Sequence, residues 1–419
     1  MGIIPCSLPC HSDKNSQSHS SHFYSDHSTS FSSQPSLASV PSLASKSSQI
    51  QEQLSLTHYQ CISTLKGHSS YVSSLTLSGK YLYSGSSNQE IRVWNHEPLN
   101  SDPIHHDDNV VAIRNGAVKS LVILGNTLFS AHQDNKIRVW QIDDDMNQKY
   151  KKLATLPTLG DRVMKLLPPK NYVQVRRHKK CTWVHHVDAV SALVFSRDDA
   201  LLYSASWDRT FKIWRTSDFR CLESVNNAHD DAINAIAVSN NGFVYTGSAD
   251  NKIKVWNKAY GDKKHSLVDT LEKHRSGVNA LALSSDGSIL YSGACDRSIV
   301  VWEKDGSSGR DGDDCGSEAH MVVVGALRGH TKAVLCLAIV SDLVCSGSAD
   351  KTVRIWRRGV GRCYSCLAVL EGHNGPVKCL TAKDDYNSTS STSTASYLVY
   401  SGSLDCDIKI WQISLPPLI

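Results

Sequence analysis

Residues 346–356 read Ser-Gly-Ser-Ala-Asp-Lys-Thr-Val-Arg-Ile-Trp, and the fold follows from this string. Between Asp350 and Trp356 the residues alternate in character, which is the period-2 pattern of a strand leaving a polar turn. The string recurs along the chain. Trp94, Trp140, Trp214, Trp256, Trp302, Trp356 and Trp411 are preceded, six positions earlier, by Asn88, Asp134, Asp208, Asp250, Asp296, Asp350 and Asp405. Ten positions earlier stand Ser84, Ser130, Ser204, Thr246, Ser292, Ser346 and Ser401. Further upstream, His68, His186, His229, His274, His330 and His373 each lie four residues before a Val or Ile that opens another strand. Two units depart from the pattern: the first has Asn88 for the turn Asp, and the second has Arg114 in place of the His. These two are expected to have weaker internal networks.

The shorter intervals between successive Trp residues suit a four-stranded unit with small loops. An all-β repeat fold of seven such units, spanning about 58–416, is therefore expected. The repeat resembles the WD-repeat β-propeller family, although none of the seven Trp is followed by the family's Asp. The resemblance implies a disc of seven blades. It also implies a buried hydrogen-bonded tetrad in each complete blade: His186, Ser204, Asp208 and Trp214; His229, Thr246, Asp250 and Trp256; His274, Ser292, Asp296 and Trp302; His330, Ser346, Asp350 and Trp356; His373, Ser401, Asp405 and Trp411. The trio Ser346, His330 and Asp350 could be mistaken for a catalytic triad. Nucleophilic catalysis needs one exposed Ser beside an oxyanion hole, whereas this constellation recurs in at least five blades. A structural role is therefore expected, no enzyme and no cofactor.

Ring closure is legible too. Few residues follow Trp411, too few for a satisfactory outer strand of the last blade, while His58-Tyr-Gln-Cys-Ile-Ser-Thr-Leu65 precedes the first repeat. Residues 59–65 are expected to pair as the outer strand of blade 7, removing two open sheet edges.

Ahead of the repeats, residues 11–50 contain 16 serines, and Pro-Ser-Leu-Ala-Ser occurs twice, at 35–39 and 41–45. Such a composition buries too little apolar surface to offset its ordering entropy, so 1–57 is expected to be disordered. Its hydroxyls allow either a phosphorylation switch or a plain solubilising tail. Gly2 with Cys6 and Cys10 invites acylation, against which stands Cys6 where the myristoylation pattern wants Ser or Thr. The formal net charge of +4 across 419 residues is too small to define a polyanion-binding chain. No apolar window approaches a membrane span. Thirteen scattered cysteines, an odd number, read as reduced thiols of a cytoplasmic or nuclear protein.

Family topology puts the d–a and b–c loops on the top face and the others on the bottom. Stretches 95–110, 141–178 and 303–320 follow strand c, and 383–396 separates strands a and b of blade 7, so all are expected on the bottom. The longest carries Lys149, Lys151, Lys152, Arg162, Lys165, Lys170 and then Arg176-Arg177-His178-Lys179-Lys180. Arg176, Arg177, Lys179 and Lys180 read as a nuclear-import or docking element, with nucleic-acid contact and a solvated loop as alternatives. No interleaved aromatics support base stacking, which speaks against direct nucleic-acid binding.

The family's geometry implies that certain positions face the central top opening. Here these include Tyr71, Lys119, Trp207, Asn234, Asn279, Leu335 and Lys378, with Trp207 the sharpest anchor. Two metal-like signals fail: Cys363 and Cys366 would face opposite sides of a strand, and His105-His106-Asp107-Asp108 lacks a partner at ligand spacing. The resemblance extends to plant members of the family, on the Ser-rich tail, on Leu65-Lys-Gly-His-Ser-Ser-Tyr-Val72, and on Leu156-Pro-Thr-Leu-Gly-Asp-Arg162 leading to Arg176-Arg-His-Lys-Lys180. It implies a monomeric, non-enzymatic regulatory scaffold whose partners are other proteins, among them transcription factors or signalling proteins. A substrate receptor of a cullin-RING ubiquitin ligase is one alternative; the subgroup motif is met only by Glu303, with Asp305 where an Arg belongs. A phosphopeptide or histone-tail reader is the other.

Overall fold

The computed structural model describes residues 40–43, 57–95, 110–113, 116–142, 150–164, 172–176, 179–259, 261–305, 320–385 and 395–415. Seven antiparallel four-stranded sheets succeed one another along the chain, each a blade of strands a to d, and they form a seven-bladed β-propeller. In blade 1 the four are Val72–Ser78, Tyr81–Ser86, Glu90–Asn95 and Val110–Ile113. The strands a of blades 2–7 begin at Val118, Val190, Ile233, Val278, Val334 and Val377, so the apolar residue four positions after each repeat His opens the innermost strand. In blade 7 the first three strands come from the end of the chain and the fourth is His58–Leu65. It pairs with Ile408–Leu415 from His58 opposite Ser414 to Leu65 opposite Ile408, so both ends of the ring share one sheet.

The core lies between the blades. At the closure, Tyr400, Ile408 and Ile410 of blade 7 pack with Val72, Leu75 and Trp94 of blade 1. The Gly of the repeated Ser-Gly-Ser string permits this closeness: a Cβ built on Gly347 would lie 2.7 Å from Val377 Cγ1 of the next blade.

Every strand a carries a bulge after its first residue, leaving Ser73, Lys119, Ser191, Asn234, Asn279, Leu335 and Lys378 as the extra residue. A bulge re-aims its side chain. Four of these side chains lace the inner strands together. Ser73 Oγ donates to the Val118 carbonyl (2.5 Å), Ser191 Oγ to Ile233 (2.5 Å), Asn234 Nδ2 to Val278 (3.0 Å) and Asn279 Nδ2 to Val334 (2.8 Å).

Two sequence expectations need correction. Strand d of blade 2, Tyr150–Leu156, lies inside the stretch read as one insertion between strands c and d. Its Lys151, Lys152 and Leu153 are exposed on the outer edge, so no burial alternation marks it as a strand. Beyond it, helix α1 (Leu159–Met164) and a hairpin of Tyr172–Arg176 with Lys179–Thr182 connect strand d of blade 2 to strand a of blade 3. That is the same type of connection as the His-bearing loops. Asp161 of α1 anchors the excursion by accepting from the Cys221 backbone N–H (3.2 Å). The second correction concerns Val40–Leu43. Composition puts these residues in a disordered tail, yet they lie against the outer edge of blade 5. A composition average cannot register one apolar pair, Val40 and Leu43, in a serine-rich stretch. The other residues of 1–56 lie outside the described residues.

Candidate functional site

The recurring polar residues of the repeat form a one-way relay within each of blades 3–7. In blade 6, Asp350 accepts from the Thr331 and Thr352 backbone N–H groups (2.9 and 3.0 Å) and the Thr352 hydroxyl (2.7 Å). These contacts, with His330, hold its carboxyl well below the usual range although burial pushes the other way. A carboxylate only accepts, so His330 Nδ1 must carry the proton it donates to Asp350 (2.8 Å). Nε2 then accepts from Ser346 Oγ (2.8 Å), and Trp356 Nε1–H donates to the same oxygen (2.9 Å). The same three links join His186, Ser204, Asp208 and Trp214; His229, Thr246, Asp250 and Trp256; His274, Ser292, Asp296 and Trp302; and His373, Ser401, Asp405 and Trp411. All lie between 2.7 and 3.1 Å. In blade 5 the balance leaves Asp296 at about 2: burial raises it, and bonds from His274, Ser298 and the Arg275 N–H outweigh that. Each central hydroxyl has no exposure and two buried partners, so no nucleophile faces solvent here.

The two irregular blades differ from each other. In blade 1, Ser84 still joins His68 Nε2 and Trp94 (both 2.7 Å), but Asn88 turns its amide to Ser69. Buried His68 Nδ1 is left without a hydrogen bond, with Glu90 at 3.8 Å. In blade 2 the missing loop His is replaced from an unforeseen position. His132, at the end of strand b, bonds Ser130 Oγ (2.9 Å) through Nε2 and the Gly116 carbonyl (3.0 Å) through Nδ1, while Asp134 takes a bidentate pair from Arg138. Blade 2 is thus rewired, and blade 1 alone carries a broken link among the described residues.

In each of these two blades the buried histidine is an acid-sensitive group. Burial, then the Arg92 charge, depresses His68 to about 4, and burial, then Arg138, does the same to His132. Both stay neutral in the fold while the unfolded chain takes up protons below about 6.5. Their contribution is complete above pH 6.5 and is lost as pH falls towards 4, on the order of 3 kcal/mol for each group. Asn88→Asp gives His68 Nδ1 an acceptor, raises its pKa and flattens the loss. Denaturant melts at pH 7, 5.5 and 4.5 check this; identical acid slopes in wild type and Asn88→Asp would refute the assignment.

The His loops and b–c turns meet through these tetrads on one face, and the seven strand a bulges lie beneath it. The residues expected on this face fall into two groups. Asn234 and Asn279 each donate a side-chain hydrogen bond to the next blade's backbone, and Leu335 is only 8% exposed. Blades 7, 1, 2 and 3 retain larger half-buried side chains: Lys378, Tyr71, Lys119 and Trp207. Lys119 Nζ lies 5.1 Å from the centre of the Trp207 ring, a cation–π pair between adjacent blades. Leu404, one position before Asp405, is 37% exposed and was missed. The rule that selects Trp207, one position before the turn Asp, would have found it.

Of the basic stretch, Arg176 and Lys179 face each other at the end of the hairpin and Lys180 pairs with Gln174, while Arg177 lies outside the described residues. Arg114, His105–Asp108 and most of 95–110, 303–320 and 383–396 do so as well. Glu303, the residue on which the ligase alternative turns, is buried and paired to Arg358 (2.6 Å) and Arg362 (2.9 Å) of blade 6. Cys363 is exposed before strand d of blade 6, and Cys366, within it, accepts from Arg354. Among the described residues no three His, Cys, Asp or Glu side chains converge as a metal site, and no helix is long and apolar enough to cross a membrane.

Comparison with known proteins places these features in a family. The chain is 30% identical over 211 residues to Protein ROOT INITIATION DEFECTIVE 3 of Arabidopsis thaliana, covering 46% of this chain and 45% of that protein. It is 32% identical over 141 residues to the CCR4-associated factor 4 homolog of Candida glabrata, covering 33% of this chain and 23% of that one. It is 27% identical over 218 residues to Mitochondrial division protein 1 of Schizosaccharomyces pombe, covering 46% and 33%. The matches thus span less than half the length of each relative. The WD domain, G-beta repeat model matches residues 59–95, 178–215, 219–257, 265–303, 321–357 and 364–412, passing over only the rewired blade 2. With more than half of its residues inside these matches and seven blades built on the repeat, the chain belongs to the WD40 repeat family.

Proposed function

We propose that this chain is a non-enzymatic scaffold, a regulatory adaptor in signalling or transcriptional control in plant cells, which holds partner proteins on the arc of blades 7, 1, 2 and 3. WD-repeat propellers act as protein-interaction scaffolds, and this is the ground on which the finer reading stands. The observation that carries it is the cation–π pair of Trp207 and Lys119 on adjacent blades, an aromatic anchor beside a cation, with half-buried Tyr71 and Lys378 at the equivalent ends of the two preceding blades. The plant setting is supported by the Arabidopsis match; a resemblance to the plant protein JINGUBANG and its relatives, read from the Ser-rich tail, residues 65–72 and residues 156–180, is part of the same proposal. In the same reading Arg176, Arg177, Lys179 and Lys180 direct import, giving a cytoplasmic and nuclear distribution.

The test is proximity labelling in plant cells of three chains matched in thermal melt: wild type, Tyr71→Ala/Trp207→Ala, and one with Arg176, Arg177, Lys179 and Lys180 changed to Gln. The first variant is expected to lose a defined set of neighbours. Loss from the Gln variant alone would assign localisation or docking to the hairpin and end the top-face assignment.

Lys119 and Lys378 favour a second reading, in which the partner segment is acidic or phosphorylated. Lys119→Glu should then abolish capture of an acidic peptide, and unchanged capture would discard the idea. The ligase alternative is weakened by Glu303, whose carboxylate is engaged by Arg358 and Arg362.

A further inference from the structure

We propose that the outer edge between blades 5 and 6 is a binding site for an extended apolar-Pro-x-Leu segment of a partner protein, with this chain's own Val40–Leu43 as its resident competitor. Blade 5's outermost strand, Met321–Arg328, receives Val40–Leu43 as a parallel addition. Ala326 N–H donates to the Pro41 carbonyl (2.9 Å) and Leu43 N–H to the Ala326 carbonyl (3.0 Å). The segment then crosses to blade 6, where the Tyr364 N–H donates to the Leu43 carbonyl (3.0 Å), and Arg328 Nη2 holds the Val40 carbonyl (2.9 Å). Backbone pairing of this kind supplies affinity without sequence preference, and pockets for alternate side chains supply selectivity.

The selectivity lies in Gly325. It stands opposite Val301, a register at which blades 2, 3, 4, 6 and 7 carry Ala154, Glu223, Asp269, Ala368 and Ser63. A Cβ on Gly325 would lie 2.5 Å from Leu43 Cγ and 2.9 Å from the Pro41 oxygen. Blade 5 therefore offers a notch where these other blades present a side chain, and Leu43 fills it against the core between blades 5 and 6. Val40 is buried, while Pro41 and Ser42 are exposed, which defines the recognised pattern as apolar at both ends with an open third position.

Among the described residues four seat the segment, and 13 residues separate Leu43 from Thr57 at the start of the ring. A short tether holds such a ligand at an effective concentration in about the millimolar range, enough to occupy a weak site and to yield to a stronger segment. This site is on the outermost strands and does not depend on the top-face reading.

The experiment uses the full chain and a fluorescein-labelled peptide of residues 39–45, Ser-Val-Pro-Ser-Leu-Ala-Ser, read by polarisation. Leu43→Asp vacates the notch and is expected to bind the peptide at least tenfold more tightly than wild type. Adding Gly325→Val to that chain should remove binding by more than tenfold. Arg328→Ala in the same background should weaken it severalfold and serves as the second variant if the valine lowers the melt. Equal binding by wild type and Leu43→Asp, absence of binding to Leu43→Asp, or binding that survives both notch variants would each overturn the proposal.

Discussion

Deleting residues 58–65 is expected to destroy the cooperative melt of the entire ring rather than loosen one blade. Seven paired positions join this strand to Ile408–Leu415, and at a net contribution near 1 kcal/mol per hydrogen bond the ladder is worth on the order of 5 kcal/mol. The deletion removes more than the ladder. Lys409 Nζ loses its bond to Thr64, Leu65 leaves the closing core, and Ile408–Leu415 becomes an open edge on which other chains can pair. Calorimetry should show a melt lowered by at least about 5 °C, by the scaling of stability to melting temperature, or no single transition, with self-association by light scattering. Supplying residues 57–66 as a free peptide should restore part of the transition. A deletion chain that melts like wild type would mean that closure resides elsewhere.

The second large effect is at the centre of a tetrad. Ser346→Ala removes one oxygen and strands two buried groups, His330 Nε2 and Trp356 Nε1. Each unsatisfied group costs about 1–3 kcal/mol, so a loss of about 2–6 kcal/mol is expected in denaturant titration. Ser346→Thr should be nearly neutral, because Thr246 performs the same task in blade 4 with its His at 2.7 Å and its Trp at 2.9 Å. A small loss in Ser346→Ala, or a large one in Ser346→Thr, would show that the relay is not what locks the blade.

The fold was readable because four side-chain types must meet in one place per blade, and that meeting fixes their spacing. What the spacing rule could not see was any solution reached from another position. His132 serves blade 2 from strand b, two residues beyond Ser130, so a search four residues before Val118 finds only Arg114. Outer strands were harder, since Tyr150–Leu156 is exposed over its middle and lacks the alternation of an inner strand. The environments of the candidate rim residues were only partly legible. Position alone does not separate Lys119, which stacks on Trp207, from Asn234 and Asn279, whose amides reach the neighbouring blade. All three are strand a bulge residues, and the length and polarity of each side chain decide whether it bonds the next blade's backbone or reaches the Trp207 ring.

In the proposed reading, residues that hold the ring are distinct from residues that bind partners, and one measurement sets the two groups against each other. Proximity labelling of Ser346→Ala and Trp207→Ala, at a temperature where both remain folded, should leave the neighbour set intact in Ser346→Ala and depleted in Trp207→Ala. An intact set in Trp207→Ala with a depleted one in Ser346→Ala would contradict this division, placing recognition in the tetrads instead of the arc of blades 7, 1, 2 and 3.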